Sequence, residues 1–256
     1  MLRQRTAEWM DSADADTGEL RSSLAFIERI NRRLGYTRAL ISRLEAFSAD
    51  GLLAPPCFQP SRGTDGSQAA ASEAPADPRP ISILDIATGS ADVPRAILDW
   101  AQRRRRNVRV VGVDFHAITL QIARERSAGY ETRLTLMRAD ALELPFADAS
   151  FDYVITSMFL HHLDDREVVG VLRAADRIAR RGLVVADLSR SRRALAWITL
   201  FTLFSNPMVK HDARVSVRQA FTPGEVIELA RSAGVGYLRC HRHFGHRFVL
   251  AGTKGP

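Results

Sequence analysis

The spacing of apolar residues changes several times along the chain, and each change marks an element. From Glu19 onward Leu20, Leu24, Ile27, Ile30 and Leu34 recur at steps of three and four, the period of one helix face. Gly35 interrupts, and a second helix is predicted over Arg38–Phe47, with Thr37 as its cap. Residues 1–18 are polar and are expected to fray, with Trp9 and Met10 as one anchoring contact. Residues 49–80 are rich in Pro, Gly, Ser and Ala, the composition of a flexible linker. Ile81, Ile83, Leu84 and Ile86 then form a short apolar run, the small residues Ala87-Thr88-Gly89-Ser90-Ala91 break it, and Val93, Ala96, Ile97 and Trp100 return to helical spacing. That is a buried strand, a tight turn and a helix.

The alternation continues. Strands are predicted at Val108–Asp114, Leu134–Ala141, Phe151–Ser157 and Leu183–Leu188. Helices fall at Ala117–Ser127 and Asp164–Arg181, with Gly182 ending the second. Ala194–Phe204 is apolar but too short to cross a bilayer. It reads as a buried helix, as a greasy wall for a substrate, or as an interfacial membrane contact. Asn206–Ala220 reads as a polar loop that closes, with the apolar insertion, a lid over 189–221. Thr222-Pro223-Gly224-Glu225 is a capping box ahead of a last helix, Val226–Ala233. Val235–His243 and Arg247–Thr253 form a closing hairpin turning at Phe244-Gly245.

The strand ends carry the chemistry. A turn of small residues lets a ligand approach the backbone, and amides at a helix start face it. Asp85 puts a carboxylate at that turn, which disfavours a phosphate and argues against a nucleotide-dependent reductase. Asp114 ends the second strand, 29 positions further on, where an acid can bind both hydroxyls of a ribose. Asp140, after the third strand, can accept a hydrogen bond from an adenine amino group.

LDIATGSAD, VVGVDF and RADALELPFADASFDYVITSMFLHHL together resemble the class I S-adenosylmethionine (SAM) methyltransferases. The similarity is closest to the branch holding the ubiquinone/menaquinone biosynthesis enzymes and many small-molecule methyltransferases. It covers roughly Ile81 to Lys254. The resemblance implies an α/β fold: a Rossmann-like seven-stranded sheet, mainly parallel with an antiparallel last strand, and an N-terminal helical cap over 1–48. It implies SAM as cofactor, its methionine part held by Asp85 and the turn of Ala87, Thr88 and Gly89, with Ser157 beneath the tail. Asp114 would hold the ribose, Phe115 would pack on adenine, and Asp140 with Ala141 would lie at the adenine edge. The family turn is Gly-x-Gly-x-Gly, whereas here only Gly89 remains; alanine at the outer positions calls for negative φ there.

In this branch the segment after the fourth strand carries a polar residue facing the substrate, so His161 is the expected base, with a backbone-bonded structural histidine as the plain alternative. His211, next to Asp212 in the expected lid, is the second candidate. His241, His243 and His246 do not meet the acid or cysteine partners a metal centre needs, so no metal is expected. The reading is methylation of a small, hydrophobic, hydroxylated molecule: O-methylation of a phenol or polyketide-type metabolite. The alternatives are C-methylation of a quinone-type ring, or a SAM-fold protein that binds without catalysis.

Composition narrows the partners. The net charge of +7 raises nucleic acid as a possibility, but only Lys210 and Lys254 are lysines and the arginines are dispersed. The dense run Arg103–Arg106 ends a helix, where cations suit the dipole. A small molecule rather than nucleic acid is the expected partner. Cys57 and Cys240 have no metal or disulfide spacing. The N-terminus lacks an apolar signal core and no window reaches 18 apolar residues, so a cytoplasmic protein without stable membrane insertion is expected.

Overall fold

The computed structural model describes residues 1–12, 14–47 and 79–255. The expected linker at 49–80, apart from its last two residues, and Cys57 lie outside them.

The strands are β1 (Ile81–Ile86), β2 (Val108–Asp114), β3 (Leu134–Arg138), β4 (Phe151–Ser157), β5 (Ala179–Leu188), β6 (Arg239–His243) and β7 (Arg247–Thr253). They form one sheet in the order β3-β2-β1-β4-β5-β7-β6, with β7 antiparallel to both neighbours and the rest parallel. The central strands are apolar on both faces, as a sheet covered on both sides requires. Leu84, Ile86, Val154, Leu183 and Phe248 face one core with α5 (Asp165–Ile178) and α8 (Pro223–Ser232). Ile83, Val110, Ile155, Val184 and Val249 face the other, with α3 (Asp92–Arg103) and α2 (Tyr36–Phe47). The strand order reverses between β1 and β4, so a crevice opens at their C-terminal ends, the usual ligand position in such sheets.

The two N-terminal helices divide their work. α1 (Thr17–Arg33), capped by Asp16, lays its apolar stripe over the crevice. α2 instead buries Tyr36, Leu40 and Leu44 against the sheet. It starts at Tyr36, so Thr37 lies inside the helix and is not its cap. α4 (Ala117–Arg126) covers the β2–β3 side.

Three expectations are corrected. Gly182 does not end a helix: α5 stops at Ile178 and β5 begins at once. A Cβ at Gly182 would run into the carbonyl oxygen of Gly252, so glycine is required for β5 and β7 to approach. Asn206–Ala220 is not a loop but helix α7 (Pro207–Gln219), with Asn206 capping Val209 N and proline in the first turn. The first residues do not fray. Arg3 lies 3.7 Å above the Phe221 ring and donates to the Gln219 and Leu163 carbonyls. Glu8 is buried, accepting from Ser216 and Gln219.

α6 (Arg192–Phe201) turns Ala194, Trp197 and Ile198 inward. Its outer end and the following turn expose Leu200, Phe201, Leu203 and Phe204. Among the described residues no helix is long and apolar enough to cross a membrane.

Candidate functional site

Two spaces meet above the sheet. The first is an open crevice of about 1320 Å³ over the turn after β1. Ala87, Thr88, Gly89, Asp114, Phe115, Asp140, Ala141 and Ser157 all line it. A Cβ built on Gly89 meets nothing within 4 Å, so no side chain fills the space above the turn.

Asp114 sits at the crevice edge with its Oδ2 accepting from Gly89 N at 2.8 Å and its Oδ1 from His116 N at 2.9 Å. Each oxygen keeps a second lone pair for a ligand hydroxyl. Phe115 is more than half exposed at the lip, with the Arg138 guanidinium 5.3 Å from its ring centre. Asp140 follows β3 in a loop and holds Leu142 N at 2.9 Å.

Asp85 does not reach the crevice wall. It lies beneath the turn, accepting the Thr88 hydroxyl at 2.7 Å on Oδ2, while its buried Oδ1 has no partner among the described residues. Burial pushes its pKa up to about 8; the Thr88 hydrogen bond opposes, and Asp92 and Asp114 add to the rise. Asp92 and Asp114 are raised too, chiefly by burial. Three acids thus lie close together, and Arg95 offsets only part of the rise at Asp92. A ligand with positive charge and paired hydroxyls suits that donor set, and SAM has both.

The expectation of negative φ at the turn alanines is overturned. Ala87 has φ 55° and Ala91 φ 58°, both left-handed. The chain must reverse from β1 into α3 while Thr88 N–H reaches Val113 O at 2.9 Å, and that path dictates the conformation. A left-handed non-glycine residue costs about 1–2 kcal/mol, less the entropy glycine would add. Ala87→Gly is therefore expected to stabilise the fold by roughly 0.5–1 kcal/mol, read as a higher melting temperature. Ala91 is fully buried, so the same change there forfeits methyl packing and offsets the gain.

The second space is a chamber between α1, α6 and α7. Phe26, Ile30, Leu188, Trp197, Ile198 and Val217 make its wall largely apolar. Met10, Ile27, Asn31 and Met158 line both spaces, so the chamber opens beside the crevice. Met158, at the end of β4, also holds a left-handed backbone with φ 56°.

The comparisons agree with this geometry. Residues 83–182 match a family model described as a methyltransferase domain. The ubiquinone/menaquinone biosynthesis C-methyltransferase of Geotalea daltonii is 28% identical over 191 residues, covering 67% of this chain and 78% of the relative. These matches support a class I SAM-dependent methyltransferase. A demethylmenaquinone methyltransferase of Staphylococcus aureus is 32% identical to the enzyme over 112 residues, only 44% of either chain. In fold, the enzyme is similar to the magnesium protoporphyrin IX methyltransferase of Synechocystis PCC 6803, solved with bound S-adenosylhomocysteine (SAH). The TM-score is 0.56 at 15% identity, over 94% of this chain and all of that one. A putative O-methyltransferase of Nostoc punctiforme PCC 73102 aligns with TM-score 0.52 at 22% identity, over 69% of this chain and 52% of that one.

Neither histidine expected as the base of the methyltransferase is placed to act as one. His161 is buried, its Nδ1 2.7 Å from Asp187 Oδ1 and its Nε2 3.6 Å from Glu8 Oε1. Its backbone N–H also donates to Asp187 Oδ2. Burial alone would lower its pKa, but the two carboxylates outweigh that and push it up to about 10. The imidazole is thus a buried cation between two anions, with no lone pair for a substrate proton. His211 lies on α7, stacked 4.1 Å from the Trp9 ring and 2.9 Å from Asp212, outside both linings. The histidines that do line the crevice are His116 and His162, the second held 3.0 Å from Asp11.

Glu8, His161 and His162 bring possible ligand atoms within 4.8 Å of one another. Glu8 is already engaged by Ser216, Gln219 and the His161 cation, and His161 by Asp187, so the group is self-neutralised. His241, in the histidine-rich hairpin, has the Arg43 guanidinium 3.5 Å from its ring, a poor neighbour for a metal.

Sequence reasoning missed Asn31 and Arg247, neither of which belongs to a motif, and gave Met158 no role although it lies in the segment after the fourth strand. Asn31 and Arg247 interrupt otherwise apolar faces, which is the one signal that could have singled them out.

Proposed function

We propose that the crevice holds SAM and that the chamber holds a small, largely apolar, hydroxylated acceptor, a phenol or polyketide-type molecule that is methylated on oxygen. In this reading Asp114 takes the ribose hydroxyls, Phe115 packs on adenine, and Asp140 and Ala141 border its edge. Ala87, Thr88, Gly89 and Ser157 surround the methionine part, with Asp85 acting from below through Thr88. Bound there, SAM supplies a methyl group already activated by its sulfonium. The protein's task is alignment.

The observation that carries the reading is the apolar chamber sharing Met10, Ile27, Asn31 and Met158 with the crevice. Asn31 Oδ1 is buried at that junction without a partner among the described residues, an acceptor for an acceptor-molecule hydroxyl. The exposed Leu200, Phe201, Leu203 and Phe204 beside α6 fit transient contact with a lipid phase carrying such a molecule. C-methylation of a quinone-type ring is the second reading, favoured by the names of the Geotalea and Staphylococcus relatives.

Methyl transfer to a panel of alkylphenols and quinols tests the proposal, and the position of the new methyl group separates the two readings. Activity confined to RNA or protein would end both.

A further inference from the structure

We propose that Arg247 is the anchor of the acceptor chamber and that it receives an ionised oxygen carried on an apolar body. The inference rests on the reading of the chamber as the acceptor site and specifies the chemistry of what enters it.

Arg247 opens β7, opposite Leu188 in the strand register, and its residue forms part of the chamber wall. It is only 6% exposed. Its guanidinium lies 4.6 Å from the centre of the Tyr36 ring, which holds the plane of the fork. Its Nε and Nη1 are buried and have no hydrogen-bond partner among the described residues. Two buried guanidinium nitrogens without hydrogen-bond partners are costly, and native proteins rarely leave them so.

Asp187 and Asp92 are the carboxylates that act on it electrostatically, without a hydrogen bond to its Nε or Nη1, and the acids of the chamber wall are engaged by other groups. Asp187 holds His161 through both its ring and its backbone N–H. Glu8, on the same wall, accepts from Ser216 and Gln219 and faces His161. Asp212 accepts from Trp9 N and Met10 N and from His211. Arg247 is therefore a cationic group in the wall of a largely apolar chamber whose lining acids, Glu8 and Asp212, already have partners. A planar fork with free N–H groups matches a carboxylate or a phenolate.

An acceptor that arrives ionised needs no proton removed. A lone pair of its oxygen forms the new oxygen–carbon bond while the methyl–sulfur bond breaks and its electron pair goes to sulfur. The guanidinium keeps the oxygen ionised in an apolar space and fixes its direction.

Calorimetry on the SAH-saturated protein at pH 7.5 tests this with two probes of equal shape, 4-octylbenzoate and the neutral 4-octylbenzamide. The benzoate is expected to bind on the order of tenfold to a hundredfold more tightly. Arg247→Met should abolish that preference while leaving SAH affinity at the wild-type level, and Arg247→Lys should retain part of it as a point charge. Equal affinity for the two probes in the wild type, binding of neither, or a preference that survives Arg247→Met would overturn the proposal. If Arg247→Met does not fold, the wild-type comparison and Arg247→Lys decide it. Wild-type SAH binding without a preference for the anion would remove the Arg247 assignment and leave the methyltransferase reading standing.

Discussion

Replacing Asp187 by asparagine is expected to lower stability by about 3–5 kcal/mol, the range for removing one partner of a buried ion pair. Asp187 and His161 are 1% and 2% exposed. Three hydrogen bonds converge on this carboxylate, from the His161 ring, the His161 N–H and the Leu188 N–H, and Glu8 faces the other side of the imidazole. Without it, the imidazolium must lose its proton or stay buried with half its compensation. The melting temperature should fall on the order of 10 °C for a chain of this size.

The same triad makes stability depend on pH, and the sign follows from its shift. His161 is raised from the ordinary 6.5 to about 10 in the folded state. The stability it contributes is complete below about pH 6.5 and is lost as pH rises through about 10. Calorimetric melts between these values should show a falling wild-type curve and a flatter Asp187→Asn curve. The effect bears on function because Glu8 ties the N-terminal segment to the triad, and that segment places Met10 and Asp11 against the crevice. Parallel pH curves for the two proteins would show that His161 is neutral in the fold.

The second large effect is at the crevice. Asp114→Ala is expected to weaken SAH binding by about 1–3 kcal/mol, or roughly fivefold to 150-fold, the cost of removing a charged partner from two hydroxyls. The substitution also releases Gly89 N–H and His116 N–H, which now hold the turn and the start of α4. Asp114→Asn separates the two contributions: it keeps an acceptor for one amide but lacks the charge. Calorimetric titration of SAH into each variant reads the difference. Unchanged affinity in Asp114→Ala would remove the ribose role from this residue.

How much of this was legible in the sequence depended on whether a signal was local. The Ile81–Ile86 run, the small-residue turn and the acid at the end of β2 are local signals, and each lies where the pattern puts it. The capping box at Thr222 and Glu225 is local too, and both of its hydrogen bonds form. The choice between His161 and His162 was not legible. Adjacent residues in a short 3-10 turn point in different directions, and only the position of Asp187 and Glu8, far away in sequence, decides which is buried. The docked N-terminus was hidden for the same reason, since Glu8 finds its partners at 161, 216 and 219. The left-handed alanines were misread because composition says which residue prefers positive φ, not where the chain path demands it. α7 was missed although Asn206-Pro207 is a start signal, because its polar face outweighed the buried Met208, Val209 and Val215.

The most direct test of the account is a crystal structure of the protein soaked in SAH. It predicts the nucleoside over Gly89, with both ribose hydroxyls on Asp114, the adenine between Phe115 and Ala141, and the sulfur directed toward the chamber past Met158. An ordered structure whose crevice stays empty in saturating SAH, or that holds the ligand elsewhere, would contradict it.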